Sequence, residues 1–271
     1  MLRWLIRGAA AVILVATLVD LPLVAADAAP TKRRRYEIRA MYHFGSIGAQ
    51  TTVRNAGANA LGVNADARGA LRVLASNGLK AIVQPGYWSN DSCSFTWSDA
   101  HVVRSVTRVA RLAATRMFYI ADEPDADACP NAPRLIAQRT RLLHKIAPGV
   151  PTVLANYRQL AAFRGSADVF ALDTYPCSVR RYGGCAYHYI TDIAAEADAL
   201  SIRYFGVIQA FGDPWGFTLP TRKQLRKIFR TWRATKMEGY FVFAWDWPQQ
   251  YPEYWLKRHK RLIRELAAQA Q

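Results

Sequence analysis

Tyr119-Ile-Ala-Asp-Glu-Pro-Asp125 is an apolar strand that runs into two adjacent carboxylates and stops at a proline, a residue that cannot donate to a strand ladder. Outward from this stretch the same unit recurs, because short apolar strands alternate with amphipathic stretches, as βα units around a parallel sheet do. The strands are read at Ile38 to Phe44, Ala60 to Asn64, Ala81 to Gln84, Met117 to Asp122, Thr152 to Asn156, Val169 to Asp173, Phe205 to Gln209 and Tyr240 to Trp245. Helical stretches follow at Arg68 to Asn77, Ala100 to Ala114, Pro133 to Ile146, briefly near Gln159, Ile190 to Ala199, Thr221 to Thr235 and Glu253 to Ala268. Eight strands with intervening helices in 271 residues predict one α/β domain closed as a (β/α)8 TIM barrel. An open doubly wound sheet is the alternative, but no Gly-x-Gly-x-x-Gly run follows the first strand.

The N-terminus reads differently. Arg3 and Arg7 precede an apolar run from Ala9 to Val19, and the small residues of Val24-Ala-Ala-Asp-Ala28 suit cleavage, so residues 1–28 are read as a secretory signal peptide. An uncleaved anchor is the other reading, although Asp20 ends the run short of a full span. Residues 29–35, with Lys32-Arg-Arg-Arg35, form a basic linker, and 36–271 the barrel. No later segment is long and apolar enough to cross a bilayer, so the expected location is secreted or extracytoplasmic, and the expected state monomeric.

Cys93, Cys129, Cys177 and Cys185 fit an oxidising compartment and allow three pairings into two bridges. A bridge between Cys177 and Cys185 would staple one loop, leaving Cys93 and Cys129 to join two others. No Cys-x-x-Cys pair or suitably spaced histidine suggests zinc, and no motif implies a metal or cofactor. The formal charge of +16 lies largely on stretches such as Arg222 to Arg230 and Lys257 to Arg264, where basic residues alternate with apolar ones at helical spacing. This pattern describes a solvated outer face, or one attracted to anionic cell-envelope glycans; specific nucleic-acid binding is not expected.

In a closed barrel the functional face is built where strands reach their C-terminal ends. The strand ends here are Tyr42 and His43, Asn64, Gln84, Asp122 and Glu123, Asn156 and Tyr157, Asp173 and Tyr175, Gln209, and Trp245, Asp246 and Trp247. Polar groups interleaved with aromatic planes suit a hydrated, faceted ligand such as a sugar. Glu123 at a rigid strand end fits a proton donor, and Asp173, which ends the sixth strand in Leu172-Asp-Thr-Tyr-Pro176, is the first choice for a second carboxylate, with Asp246 as the alternative partner. Tyr87, Trp88 and Trp215 are candidate stacking platforms on loops, and Asp125 and Asp127 read as loop or helix-cap residues.

On these motifs the chain resembles the barrel-shaped glycoside hydrolases, specifically the clan whose fourth strand ends in Asn-Glu-Pro. Asp122-Glu123-Pro124 stands in that place, so the resemblance implies that Glu123 is the acid/base, and Trp245 resembles the clan's sugar platform. The clan's nucleophile, a Glu ending the seventh strand, is replaced by Gln209 in Val207-Ile-Gln-Ala-Phe211. An amide cannot form the glycosyl ester, so hydrolysis would need Asp173 as base or nucleophile. The expectation is a secreted glycoside hydrolase acting on a polysaccharide or glycoconjugate, an anionic one included. Glu123 and Asp173 would be catalytic, and Tyr42, His43, Asn64, Gln84, Asp122, Asn156, Tyr175, Gln209, Trp245 and Asp246 would bind substrate. The rivals are a carbohydrate-binding barrel without chemistry and an adhesion module for anionic envelope polymers.

Overall fold

A computed structural model describes residues 36–42, 50–247 and 250–271. The segments read as signal peptide and basic linker, and His43, lie outside the described residues. Eight parallel strands close into a barrel: β1 Arg39–Met41, β2 Ala60–Asn64, β3 Lys80–Gln84, β4 Thr115–Asp122, β5 Thr152–Asn156, β6 Val169–Leu172, β7 Tyr204–Gln209 and β8 Tyr240–Phe243. Each strand pairs with the next, and β1 pairs with both β2 and β8, which closes the ring. The helices are α1 Gln50–Asn55, α2 Arg68–Ser76, α3 Asp99–Val109, α4 Ala132–Ile146, α5 Leu160–Phe163, α6 Val179–Tyr182, α7 His188–Ala199, α8 Arg222–Arg233 and α9 Lys260–Gln269.

Side-chain alternation on the strands divides the core in two. Met117 and Tyr119, Val153 and Ala155, Val169 and Ala171, Phe205 and Val207, and Phe241 fill the barrel interior. Their neighbours Phe118, Leu154, Phe170, Leu172, Tyr204, Ile208, Tyr240 and Val242 pack outward under the helices. At Gly206 the outer layer comes so close that a Cβ would stand 2.6 Å from the Trp232 ring. The indole of Trp232, fully buried, donates to the Val207 carbonyl at 3.1 Å.

Several boundaries differ from the sequence reading. Helix α3 ends at Val109 rather than Ala114, because the Thr115 hydroxyl takes up the Val109 carbonyl at 2.7 Å and the chain enters β4 directly. The C-terminal helix begins at Lys260, not Glu253. Two short 3-10 turns, Pro252–Tyr254 and Leu256–Arg258, precede it, divided by an extended Trp255. The short α1 and α6 and two hairpins, Trp88–Ser89 with Ser94–Phe95 and Cys177–Ser178 with Gly184–Cys185, carry no sequence periodicity long enough to announce them. The disulfides join Cys93 to Cys129 and Cys177 to Cys185. Among the described residues no helix is long and apolar enough to cross a membrane.

One irregularity positions the site. The pairing of β4 with β5 shifts register between Tyr119 and Ala121, a bulge that places both Ile120 and Ala121 in the outer layer. Such a bulge re-aims every side chain beyond it. Asp122 consequently turns to the inside, as Met117 and Tyr119 do, although regular alternation would have turned it out.

Candidate active site

Glu123 follows the bulge with φ +42°, in the left-handed region, which costs a non-glycine residue of order 1 kcal/mol or more and persists only where its surroundings enforce it. They do so from both sides. Its N–H donates to the Ala155 carbonyl at 2.9 Å, and its carbonyl accepts from Asn90 Nδ2 at 2.9 Å. Asn90 is itself fixed, because its Oδ1 accepts from the Trp88 indole at 2.9 Å and from the Asp125 N–H at 3.0 Å. The Cys93–Cys129 bridge ties the hairpin that carries Asn90 to the loop after β4. Asn156 supports the same loop by donating to the Pro124 carbonyl at 3.3 Å, while its Oδ1 accepts from the Tyr157 and Arg158 N–H groups. Asp125 caps that loop, accepting from the Asp127 and Ala128 N–H groups and pairing with Arg158 at 2.9 Å.

The left-handed turn brings the side chains of both Asp122 and Glu123 into one cavity of about 270 Å³, together with Asp173 from the end of β6. Asp122 is open to water on the cavity floor and receives the hydroxyls of Tyr119 at 2.7 Å and Tyr42 at 3.1 Å. The surrounding protein raises its pKa, and the two hydroxyls oppose that rise. Asp173 is 8% exposed. Burial first, then the nearby Glu123 and Asp122 carboxylates, hold its pKa well above the ordinary range. The Glu123 pKa is also raised, by burial and by Asp122, against a hydrogen bond from Asp173 and the charges of Arg158 and Arg181. Glu123 and Asp173 thus act on each other's titration, because neighbouring carboxylates resist ionising together. The Oδ1 of Asp173 is buried without a hydrogen-bond partner among the described residues.

Aromatic rings wall this cavity. Tyr175 meets Phe211 edge-on at 4.8 Å, Phe243 meets Tyr42 at 5.1 Å, and Trp247 and Phe217 complete the lining. Asp213, also in the lining, receives the N–H groups of Trp215, Gly216 and Phe217 on one oxygen and so shapes the loop after β7. A second lobe of about 500 Å³ adjoins the first and shares Glu123, Asp173, Tyr175 and Phe217 with it. The two acids therefore stand at the junction of a continuous cleft.

Of the residues expected on the binding face, Tyr42, Asp122, Glu123, Asp173 and Tyr175 line the cavity. Others are elsewhere. Gln209 is fully buried, and its amide accepts from the Cys177 N–H at 2.8 Å and donates to the Cys177 and Thr218 carbonyls; it braces two loops and presents no surface to a ligand. Asn156 is equally buried and acts through the Glu123 loop. Trp245 packs in the outer core because the chain leaves β8 at Phe243, before alternation could carry it inward, and Trp247 takes the cavity position instead. Asp246 pairs with Lys257 at 3.1 Å. Asn64 accepts from the Asp66 N–H, and neither it nor Gln84 lines either lobe. Trp88 is buried against Phe95, whereas Trp215 is 54% exposed beside Trp247. The residues sequence reasoning missed as site elements are Asn90 and Asp213, which no local pattern marks; Trp247, read among the strand ends but not as a ligand contact, lines the cavity.

No family model matches the sequence, and no curated protein matches it. Solved structures do share its fold. A GH2 beta-galacturonidase from Eisenbergiella tayi bound to galacturonate is 10% identical, with a TM-score of 0.64 over 86% of this chain and 51% of that one. The endo-beta-1,4-mannanase from Thermotoga petrophila is 12% identical, with a TM-score of 0.59 over 88% and 77%. A Glycoside Hydrolase Family 5 mannosidase from Rhizomucor miehei is 12% identical, with a TM-score of 0.55 over 87% and 93%. The chain spans about half the length of the galacturonidase. At these identities what this chain has in common with glycoside hydrolases is the closed eight-stranded barrel.

Proposed function

We propose that this protein is a secreted hydrolase of glycosidic bonds. The observation that carries the reading is the Glu123–Asp173 pair, two carboxyl groups from different strands, both with raised pKa, at the junction of a cleft walled by aromatic rings. Glu123, held in place through its own backbone, gives its proton to the glycosidic oxygen as the bond to the anomeric carbon breaks and the electron pair leaves with the oxygen. Water then adds to that carbon and returns a proton to the pair. Asp122, with two tyrosine hydroxyls on its carboxylate, faces the positive charge that develops on the ring.

The second carboxylate has a geometric condition. Retaining pairs stand about 5–5.5 Å apart and inverting pairs about 6.5–9.5 Å, whereas Glu123 and Asp173 are near enough for each to shift the other's pKa. For Asp173 to act as nucleophile or base, the sugar must sit between the two groups; with no sugar between them, Asp173 is placed to resupply the proton of Glu123. The test is Glu123→Gln, which keeps the shape of the cleft and removes the acid. Loss of reducing-end release with sugar binding retained is expected. An unchanged hydrolytic rate would rule this mechanism out, and binding without turnover by the wild-type protein across a broad glycan panel would leave a carbohydrate-binding barrel.

A further inference from the structure

The sequence has 36 Lys and Arg against 20 Asp and Glu, yet the cleft carries the opposite sign. Among the described residues its acidic lining is Asp122, Glu123, Asp173, Asp192, Glu196 and Asp213, and its one basic lining residue is Arg181. Asp192, Glu196 and Asp213 lie outside the crowded group of Asp122, Glu123 and Asp173, so the acidic excess does not rest on that group alone. Low-dielectric walls of one sign concentrate ligands of the other and repel their own.

The excess has a definite address in the second lobe. Asp192 and Glu196 stand four residues apart on α7, a spacing that turns both to one helix face. Both are exposed, and neither has a lysine or arginine at ion-pair distance among the described residues. Arg181 does not cancel them, because its guanidinium lies over the Phe217 ring at 5.3 Å and its charge acts on Glu123. Tyr182 and Tyr189 lie tilted against each other at 4.8 Å and Tyr157 is 39% exposed, so the same lobe offers π faces that attract cations and sugar C–H faces alike. A separate feature also asks for a donor. Asp173, more than nine-tenths buried, borders both lobes with an Oδ1 that no described group satisfies, and a buried polar atom of this kind needs a partner.

We propose that the second lobe is a subsite for a cationic sugar, an amino sugar with a free protonated amine. Asp192 and Glu196 receive the ammonium group, and Asp173 Oδ1 takes a hydroxyl or N–H of the adjoining residue. The proposal rests on the reading of this cleft as a glycosidase site and deepens it. The expectation of an anionic ligand, drawn from net charge, applies to the outer surface; a uronate in the cleft would face like charges.

Binding and turnover separate the two readings. Calorimetric titration of the Glu123→Gln protein near pH 6 would compare glucosamine and galactosamine hexamers with their N-acetylated forms and with a galacturonate hexamer. At least one amine hexamer is expected to bind about tenfold or more tighter than its acetylated form and than the galacturonate, a difference of about 1.4 kcal/mol. Adding Asp192→Asn and Glu196→Gln together should remove that preference and leave binding of the acetylated hexamer unchanged. Equal or tighter binding of the acetylated or galacturonate hexamer overturns the proposal, as does absence of binding by all of them or an amine preference that survives the double substitution. Amine-selective binding with no reducing-end release from any hexamer by the wild-type protein would overturn the hydrolase reading and leave the subsite standing.

Discussion

Strand β6 is bracketed by two aspartates with opposite surroundings. At its start, Asp168 Oδ2 accepts from the Thr152 N–H at 2.7 Å and the Thr152 hydroxyl at 2.8 Å, and pairs with His144 Nε2 at 2.8 Å. Burial pushes its pKa up, but these partners outweigh it and the pKa falls below the ordinary value. At the end of the strand Asp173 has acids for neighbours and its pKa is held high. Glu37, at the same end of the barrel as Asp168, is likewise lowered through Arg116. The end where strands begin satisfies its charges and stabilises the fold, whereas the end where they finish crowds them, an arrangement that favours chemistry over stability.

The contrast is sharpened most by Glu123→Gln, which should lower hydrolysis by about 10²–10⁴-fold, the usual worth of a positioned general acid, with little change in unfolding. Asp168→Ala should do the reverse. It removes the carboxylate that accepts from the N–H and hydroxyl of the buried Thr152 and should cost about 2–3 kcal/mol in urea unfolding, while the rate per folded molecule stays near wild type. A large rate loss there would show that the two ends are not separable.

Acid titration of stability distinguishes the two aspartates by sign. A lowered folded pKa gives Asp168 a stabilising contribution that is present above its unfolded value, near 3.9, and is lost as pH falls through the folded value. A raised folded pKa gives Asp173 a contribution that is present below the unfolded value and is lost as pH rises through the folded one. Asp173→Asn should therefore melt higher than wild type at pH 7, with the gain shrinking toward acid; a variant that melts lower at pH 7 would contradict the crowding. Smallest is Asn90→Ala. It should cost about 1 kcal/mol of stability from lost hydrogen bonds, and it should lower kcat more than it raises KM, because it frees the backbone that aims Glu123.

Periodicity carried the barrel. Strands such as Thr152–Asn156 and Val169–Leu172 were readable because five or so apolar residues between turn signals leave few alternatives, and their ends pointed to Asp122, Glu123 and Asp173. The same logic misplaced what lies past a strand end. Gln209 and Trp245 occupy the right positions in the chain, but Gln209 bonds the Cys177 and Thr218 backbone and Trp245 lies in the outer core. Neither fate depends on near neighbours in sequence. Asn90, 33 residues before Glu123, has no local pattern that would mark it.

What the sequence determined by itself is the alternation of strand and helix, and with it the closed barrel and the acids at its mouth, because burial at fixed periods is a local property. What only the tertiary structure decided is how those acids face one another. The bulge after Tyr119 and the left-handed Glu123 put consecutive carboxylates on one side, and the ring closure brings Asp173 to meet them. Charge sign followed the same division, because composition reports the +16 of the whole chain, while the sign of the cleft depends on which side chains the fold gathers there.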